Sequence, residues 1–294
     1  MSSIDAYHID KARVRLSFGR AASAYDHAAV LQREVLERML ERLELVALKP
    51  NTILDAGCGT GLGGMRLAKR YPQAGLLALD FADPMLRLAQ SRLPWLSRLG
   101  FGRRHRFICG DMEALPLQDH CVEMAWSNLA VQWCNDLDGA FREFHRVLAP
   151  GGLLTFSTFG PDTLKELRQA TSVDAAHTHV SRFIDMHDIG DALVRAGFSA
   201  PVMDVEFFTL TYDTALEVMR DLKAIGAGNA TAGRPAGLAG KRFLQHLTQN
   251  YERFRQTDGK LPATYEVVYG HAWKPENPPP KTEDGAQVIH FHRK

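Results

Sequence analysis

Long apolar runs, excess charge of one sign and paired cysteines are what this sequence has least of. No stretch of its 294 residues approaches the roughly 20 apolar positions that a membrane-spanning helix needs. Met1 to Arg20 alternates charged and apolar residues and has no signal-peptide core. The formal net charge is only +1, which argues against a strongly electrostatic nucleic-acid binder and leaves room for a local basic patch. The four cysteines, Cys58, Cys109, Cys121 and Cys134, form no Cys-x-x-Cys pair, and no His stands at zinc-finger spacing to them. Reduced thiols and a cytoplasmic location are the resulting expectation. There is no internal repeat. What is present is an apolar content of 45% against 23% charged residues, the balance of a soluble globular chain, with length enough for one large domain or a core carrying an insertion.

The most informative segment is residues 51–63, Asn-Thr-Ile-Leu-Asp-Ala-Gly-Cys-Gly-Thr-Gly-Leu-Gly. An apolar run ends in Asp55, and glycines follow at 57, 59 and 61. A buried strand therefore stops at a turn where backbone must approach something closely. Leu62 to Arg70 has helix-forming composition, so a ligand would lie beside a helix N-terminus. A dinucleotide fingerprint reads Gly-x-Gly-x-x-Gly. Here the glycines alternate behind a leading acid, and Gly59 to Gly64 matches the dinucleotide form only loosely. The alternating form resembles motif I of class I S-adenosylmethionine (SAM) methyltransferases. The amino-acid end of SAM carries an ammonium, which an acid at a strand end can receive. Cys58 reads as a small side chain lining that pocket.

The periodicity predicts a helix over 26–48, strands at 52–56, 76–79, 106–109, 122–127 and 153–158, and helices over 84–93 (with Asp83 as N-cap) and 137–148. Pro150-Gly151-Gly152 reads as a turn. Beyond it come a helix over 188–196, a strand over 202–212, helices over 214–225 and 240–254, and a strand over 263–273. Strands alternating with helices predict a parallel sheet with both faces covered, and the resemblance at residues 55–61 implies an α/β, Rossmann-like class I methyltransferase fold, with a mostly parallel seven-stranded sheet and helices on both faces. The expected organisation is an N-terminal helical cover over 1–50, a methyltransferase domain over 51–275 with a helical substrate lid over about 213–260, and a mobile tail over 276–294.

Asp55, Asp80, Asp111 and Asn128 stand at four successive strand ends, where ligands of such sheets bind. Asp80 follows Gly57 by 23 positions, close to the spacing at which an acid takes ribose hydroxyls. Phe81 can pack on adenine. Gly110-Asp111-Met112 resembles the motif that binds and flanks the adenine ring, and Asn128-Leu129 closes the strand where the methionine portion lies. Met85 completes the cofactor set. Exocyclic-amine DNA methyltransferases resemble one another in an Asn/Asp-Pro-Pro-aromatic motif at that point. Residues 126–133, Trp-Ser-Asn-Leu-Ala-Val-Gln-Trp, lack it.

Four longer stretches are more specific: 18–26 (Phe-Gly-Arg-Ala-Ala-Ser-Ala-Tyr-Asp), 127–134 (Ser-Asn-Leu-Ala-Val-Gln-Trp-Cys), 156–164 (Phe-Ser-Thr-Phe-Gly-Pro-Asp-Thr-Leu) and 265–275 (Tyr-Glu-Val-Val-Tyr-Gly-His-Ala-Trp-Lys-Pro). Through them, the chain from Val14 to Pro275 resembles the malonyl-acyl-carrier-protein O-methyltransferases of biotin synthesis. It departs in Asp55-Ala56-Gly57, where Asp-Leu-Gly is commoner, and in an Arg-rich insertion near 98–106. The resemblance implies methyl transfer from SAM to the free carboxylate of a malonyl thioester. Such a carboxylate, with a reference pKa near ~4, is ionised already and needs no general base. The pocket candidates are Tyr25 (cover and hydrogen-bond donor), Gln32, Trp133, Phe159, His179 and Arg182. Arg182 could grip the carboxylate through its planar fork. His179 reads as structural, and His271 and Trp273 as scaffold. Acyl carrier proteins are acidic, so a basic patch is expected. One candidate is Arg98, Arg103, Arg104 and Arg106. The preferred one is Lys223, Arg234, Lys241 and Arg242, in the insertion before the last strand. Malonyl-CoA is a further possible acceptor. The alternatives are a SAM-dependent C-methyltransferase acting on a quinone-like acceptor, and a SAM-binding assembly factor that transfers no methyl group.

Overall fold

The structure is a computed structural model that describes residues 5–93, 105–172, 177–235 and 240–277. The sheet grows outward from β1 (Thr52–Ala56), which pairs in parallel with β2 (Gly75–Asp80) on one side and β4 (Val122–Ser127) on the other. Burial on both faces explains the mostly apolar character of these strands. β3 (His105–Cys109) is one edge of the sheet, and β5 (Leu148–Phe159) continues past β4. β6 (Ser199–Tyr212) and β7 (Leu261–Trp273) complete the order β3-β2-β1-β4-β5-β7-β6. β7 runs antiparallel to both its neighbours. It is buried along nearly its whole length, so both of its faces pack against other elements.

Helices cover both faces. Val30–Arg42 (α3) buries Leu31, Val35, Leu36 and Met39, a helical stripe. On the same face pack α7 (Lys165–Ala170), α9 (Ala215–Ala224) and α10 (Lys241–Tyr251). The opposite face holds α6 (Leu137–Val147) and α8 (Met186–Arg195), with Phe141 and Phe144 fully buried. α4 (Leu62–Arg70) and α5 (Asp83–Ser91) follow β1 and β2. Before α3 come α1 (Lys11–Ala21), capped by Asp10, whose side chain accepts from the Arg13 N–H, and the single turn α2 (Tyr25–Ala28). The helix expected over 26–48 is therefore broken: Ala29 leaves helical geometry at ψ 50°, and a 3₁₀ turn, Leu43–Leu45, ends the segment. The N-cap of α5 is Ala82, because Asp83 is already helical. The turn expected at Pro150-Gly151-Gly152 lies within β5. There the pairing slips between Val122↔Leu148 and Met124↔Leu153, and Gly151 sits at φ 75°.

Thr214 caps α9 in a reciprocal capping box with Glu217. α10 is held by buried Leu247 and Tyr251, the Tyr251 hydroxyl donating to the Pro262 carbonyl at 3.0 Å. Arg98, Arg103, Arg104 and the tail from residue 278 lie outside the described residues, and Arg106 is exposed on edge strand β3. Among the described residues no helix is long and apolar enough to cross a membrane, and no cluster of metal-ligating side chains is present.

Candidate functional site

The turn after β1 is built by necessity from glycine. Gly57, Gly59 and Gly61 have φ of 75°, 52° and 84°, in the left-handed region that side chains resist. A Cβ on Gly57 would meet Ala130 Cβ at 2.3 Å, and one on Gly61 would meet Ala89 Cβ at 2.8 Å. The turn thus wedges between β4 and α5. Two acids face it. Asp80 accepts from the Gly59 N–H at 2.9 Å and the Ala82 N–H at 2.8 Å. Asp55 is 2% exposed, and its Oδ2 has no hydrogen-bond partner within normal geometry. Burial and the neighbouring Asp80 charge push Asp55 up to about 7, the Gly64 N–H opposing them. Burial lifts Asp80 to about 6 against its backbone donors. Two buried carboxyls with raised pKa values form a pocket that favours a cation. Cys58, also buried, has its thiol pushed up by burial and by both acids, which keeps it protonated.

The site divides into two small cavities. One, of about 20 Å³, is lined by Gly57, Asp80, Phe81, Asp111, Met112 and Trp133, with Lys11 and Val14 of α1. It gathers most of the residues expected around ribose and adenine. Asp111 is engaged here by Lys11 at 2.5 Å, and Lys11 also pairs with Glu113 at 2.6 Å. The other, of about 60 Å³, is lined by Tyr25, Gln32, Arg33, Asp55, Cys58, Trp126 and Asn128 among others, and Arg33 is the single cation in that lining. Asn128 Nδ2 donates to the Gln32 carbonyl at 3.1 Å, and its Oδ1 accepts from Ser157 Oγ at 2.9 Å. Leu129 adopts φ 47° and donates its N–H to Ser157 Oγ at 2.9 Å. A non-glycine residue in that region marks a point where the surroundings impose the conformation.

The N-terminal helices close over both cavities. Asp26 accepts from Thr60 Oγ1 of the glycine turn at 2.7 Å and pairs with Arg92 at the end of α5. Arg33 Nη1 donates to the Asp26 carbonyl. Phe18 meets Tyr25, Phe81 and Trp133 at centroid distances of 6.3, 6.3 and 5.3 Å. Tyr25 is half-buried against this network. Burial, then the charges of Asp80 and Asp26, pushes its hydroxyl pKa up, so it is a donor and not a base. Met85 packs under the cover with Ala22 and Ala82 and lines neither cavity.

A third cleft, of about 950 Å³, opens beyond the ends of β4 and β5 and includes Gln132, Thr158, Phe159, Arg182 and Phe183. Arg182 is exposed there and makes no ion pair among the described residues. Phe159 packs against Phe183 and Tyr265. Trp133 does not join this cleft. The 3₁₀ turn Val131–Trp133 carries its ring back to Phe18, placing it in the cavity with Asp80, Phe81 and Asp111. His179 stacks on Phe243 of α10 at 4.8 Å, a scaffold contact. His271 and Trp273 lie on β7. Lys223, Lys241 and Arg242 are exposed. Arg234 leaves the expected basic patch, because it is half-buried, donates to the Thr231 carbonyl and lies 3.8 Å from Asp10. Sequence reasoning missed Lys11, Arg33 and Trp126.

Residues 54–156 match a family model described as a methyltransferase domain. The chain is 63% identical to a malonyl-[acyl-carrier protein] O-methyltransferase of Methylovorus sp. (strain MP688), over 92% of each chain. It is 57% identical to the protein of that name from Gallionella capsiferriformans, over 97% of this chain and 98% of that one. Among solved structures, the YcgJ protein of Bacillus subtilis superposes with a TM-score of 0.57 at 18% identity, covering 83% of this chain and 100% of the other. That likeness concerns the fold alone.

Proposed function

Because this chain belongs to the malonyl-[acyl-carrier protein] O-methyltransferase family, we infer that it transfers a methyl group from SAM to the free carboxylate of a malonyl thioester on acyl carrier protein. The observation that carries the cofactor assignment is the buried acid pair Asp55 and Asp80 beside the glycine turn, a cation-favouring pocket at a helix N-terminus. When bound, SAM supplies a methyl group activated on a sulfonium. Asp55 would receive its ammonium, Arg33 its carboxylate, Asp80 the ribose hydroxyls, and Phe81, Asp111 and Met112 the adenine.

The acceptor carboxylate is ionised at neutral pH, so no proton has to move. The residues' work is alignment and exclusion of water, and good alignment contributes on the order of 7–11 kcal/mol. Tyr25 caps the pocket as a protonated donor. Arg182 and Phe159, which line the cleft beyond β4 and β5, would hold the malonyl arm. The carrier would dock against Lys223, Lys241 and Arg242 on the insertion between β6 and β7, which serves as the substrate lid. The ester formed is the one the resemblance places at the start of biotin synthesis.

The test is an intact-mass assay with SAM and malonyl-loaded carrier. A gain of one methyl on the carrier, with S-adenosylhomocysteine formed in equal amount, is expected. SAM binding without transfer to any malonyl thioester would return the chain to the assembly-factor reading. Malonyl-CoA in parallel measures how far the carrier matters.

A further inference from the structure

The floor of the amino-acid end of the pocket holds a polar atom that the reading above does not use. Trp126 on β4 is in register with Asp55 on β1, so the two side chains leave the sheet on the same face. The Trp126 side chain is 0% exposed, yet its Nε1–H has no hydrogen-bond partner, and Asp55 Oδ2 is unpaired beside it. Both atoms converge on Gly63: a Cβ built there would lie 3.4 Å from Asp55 Oδ2 and 3.5 Å from Trp126 Nε1. Both side chains line the same cavity as Arg33.

Buried donors without partners are rare in native structures, because each forfeits its hydration for nothing. A buried carboxylate oxygen and a buried indole N–H, neither with a hydrogen-bond partner and both converging on Gly63, match an α-amino-acid zwitterion: the ammonium to the carboxylate, the carboxylate to the N–H. We propose that Trp126 is a binding residue for the cofactor, its indole N–H donating to the carboxylate of the methionine portion of SAM. The inference rests on the SAM reading of this site. A neutral donor suits the position. A second cation on the floor would pair with Asp55 and close the place the ammonium takes, whereas an indole can only donate and leaves Asp55 open. Arg33 then supplies charge from the cover, and Trp126 supplies direction from the sheet.

The experiment compares SAM with decarboxylated SAM, which keeps the ammonium and sulfonium and lacks only the carboxylate. Dissociation constants are measured by calorimetry, without acceptor, for the unsubstituted protein, for Trp126→Phe, and for the protein with 3-benzothienylalanine at 126, an isostere that keeps the ring shape and loses the N–H. Removing the N–H is expected to weaken SAM by about tenfold, the worth of one hydrogen bond to a charged group, and to leave decarboxylated SAM unchanged. The isostere must reproduce the effect of Trp126→Phe, which separates the lost donor from any loosening of the core. Equal weakening of both ligands, or of neither, overturns the role of Trp126. Failure of the unsubstituted protein to bind SAM overturns the reading of the site itself and this inference with it.

Discussion

At the scale of single residues, the acid at the end of β1 sets a testable sign. Folding lifts Asp55 from the ordinary 3.8 to about 7, so between those values the folded protein holds a proton that the unfolded chain has released. Stability from this group is therefore intact at low pH and is lost as pH rises towards about 7. Asp80, lifted to about 6, acts in the same direction. Asp55→Asn is expected to raise the melting temperature of the ligand-free protein by several degrees at about pH 8 and to change little at about pH 4. SAM should show the opposite preference. Its ammonium favours the ionised acid, so its affinity rises from about pH 6 to about pH 8, and calorimetry in buffers of different ionisation enthalpy should detect a released proton on the acid side. Asp55→Asn removes both the trend and the proton. The residues behind these predictions, Asp55, Gly57 and Asp80, were legible in the sequence because their chemistry is tied to spacing along one chain segment. Trp126 and Arg33 were not, because what matters there is a missing partner across strands and a cation brought in by a separate helix.

At the scale of elements, α1 and α2 form a cover held by apolar contacts of Phe18 and Ala22 and by polar ones from Lys11 and Asp26. The two cavities beneath it are small, about 20 and 60 Å³, so admission of a nucleoside is expected to require a shift of the cover. The break at Ala29 provides a joint between α2 and α3. The latch is Asp26, which joins Thr60 and Arg92. The Asp26 side chain is 38% exposed and that of Arg92 24%, so their pairing is worth much less than a buried one. Asp26→Asn is expected to shorten the residence of SAM by about fivefold in stopped-flow displacement, with little change in the melting temperature. An unchanged residence time would show that the cover does not gate the cofactor. From sequence, the 26–48 segment read as one helix, because hydrophobic periodicity does not report a single residue that leaves helical geometry. Met85, expected in the cofactor set, packs under the cover with Ala22 and Ala82.

At the scale of the whole molecule, the proposed carrier face and the glycine turn belong to different elements. Lys241 and Arg242 start α10 and are exposed, and Lys223 lies near the end of α9. Reversing Lys241 and Arg242 to Glu together is expected to raise KM for the carrier-bound substrate by about tenfold or more at low salt. SAM affinity and turnover of malonyl-CoA should stay within about twofold, and the difference between carrier and CoA should shrink as ionic strength rises. Equal losses on both acceptors would remove this face from carrier recognition. The order of strands and helices was legible because α/β alternation writes itself as period and turn. The fate of Arg234, drawn away to Asp10, was not, since an ion pair between distant segments leaves no local trace. β7 is the one reversed strand, and β6 points the same way as β1. The β6–β7 connection must therefore leave and rejoin the sheet at the rim where Asp55 and Asp80 stand, whatever residues compose it. Exchanging residues 213–260 between relatives is therefore expected to change the preference for carrier over CoA more than the affinity for the methyl donor, with both read on the same chimaera.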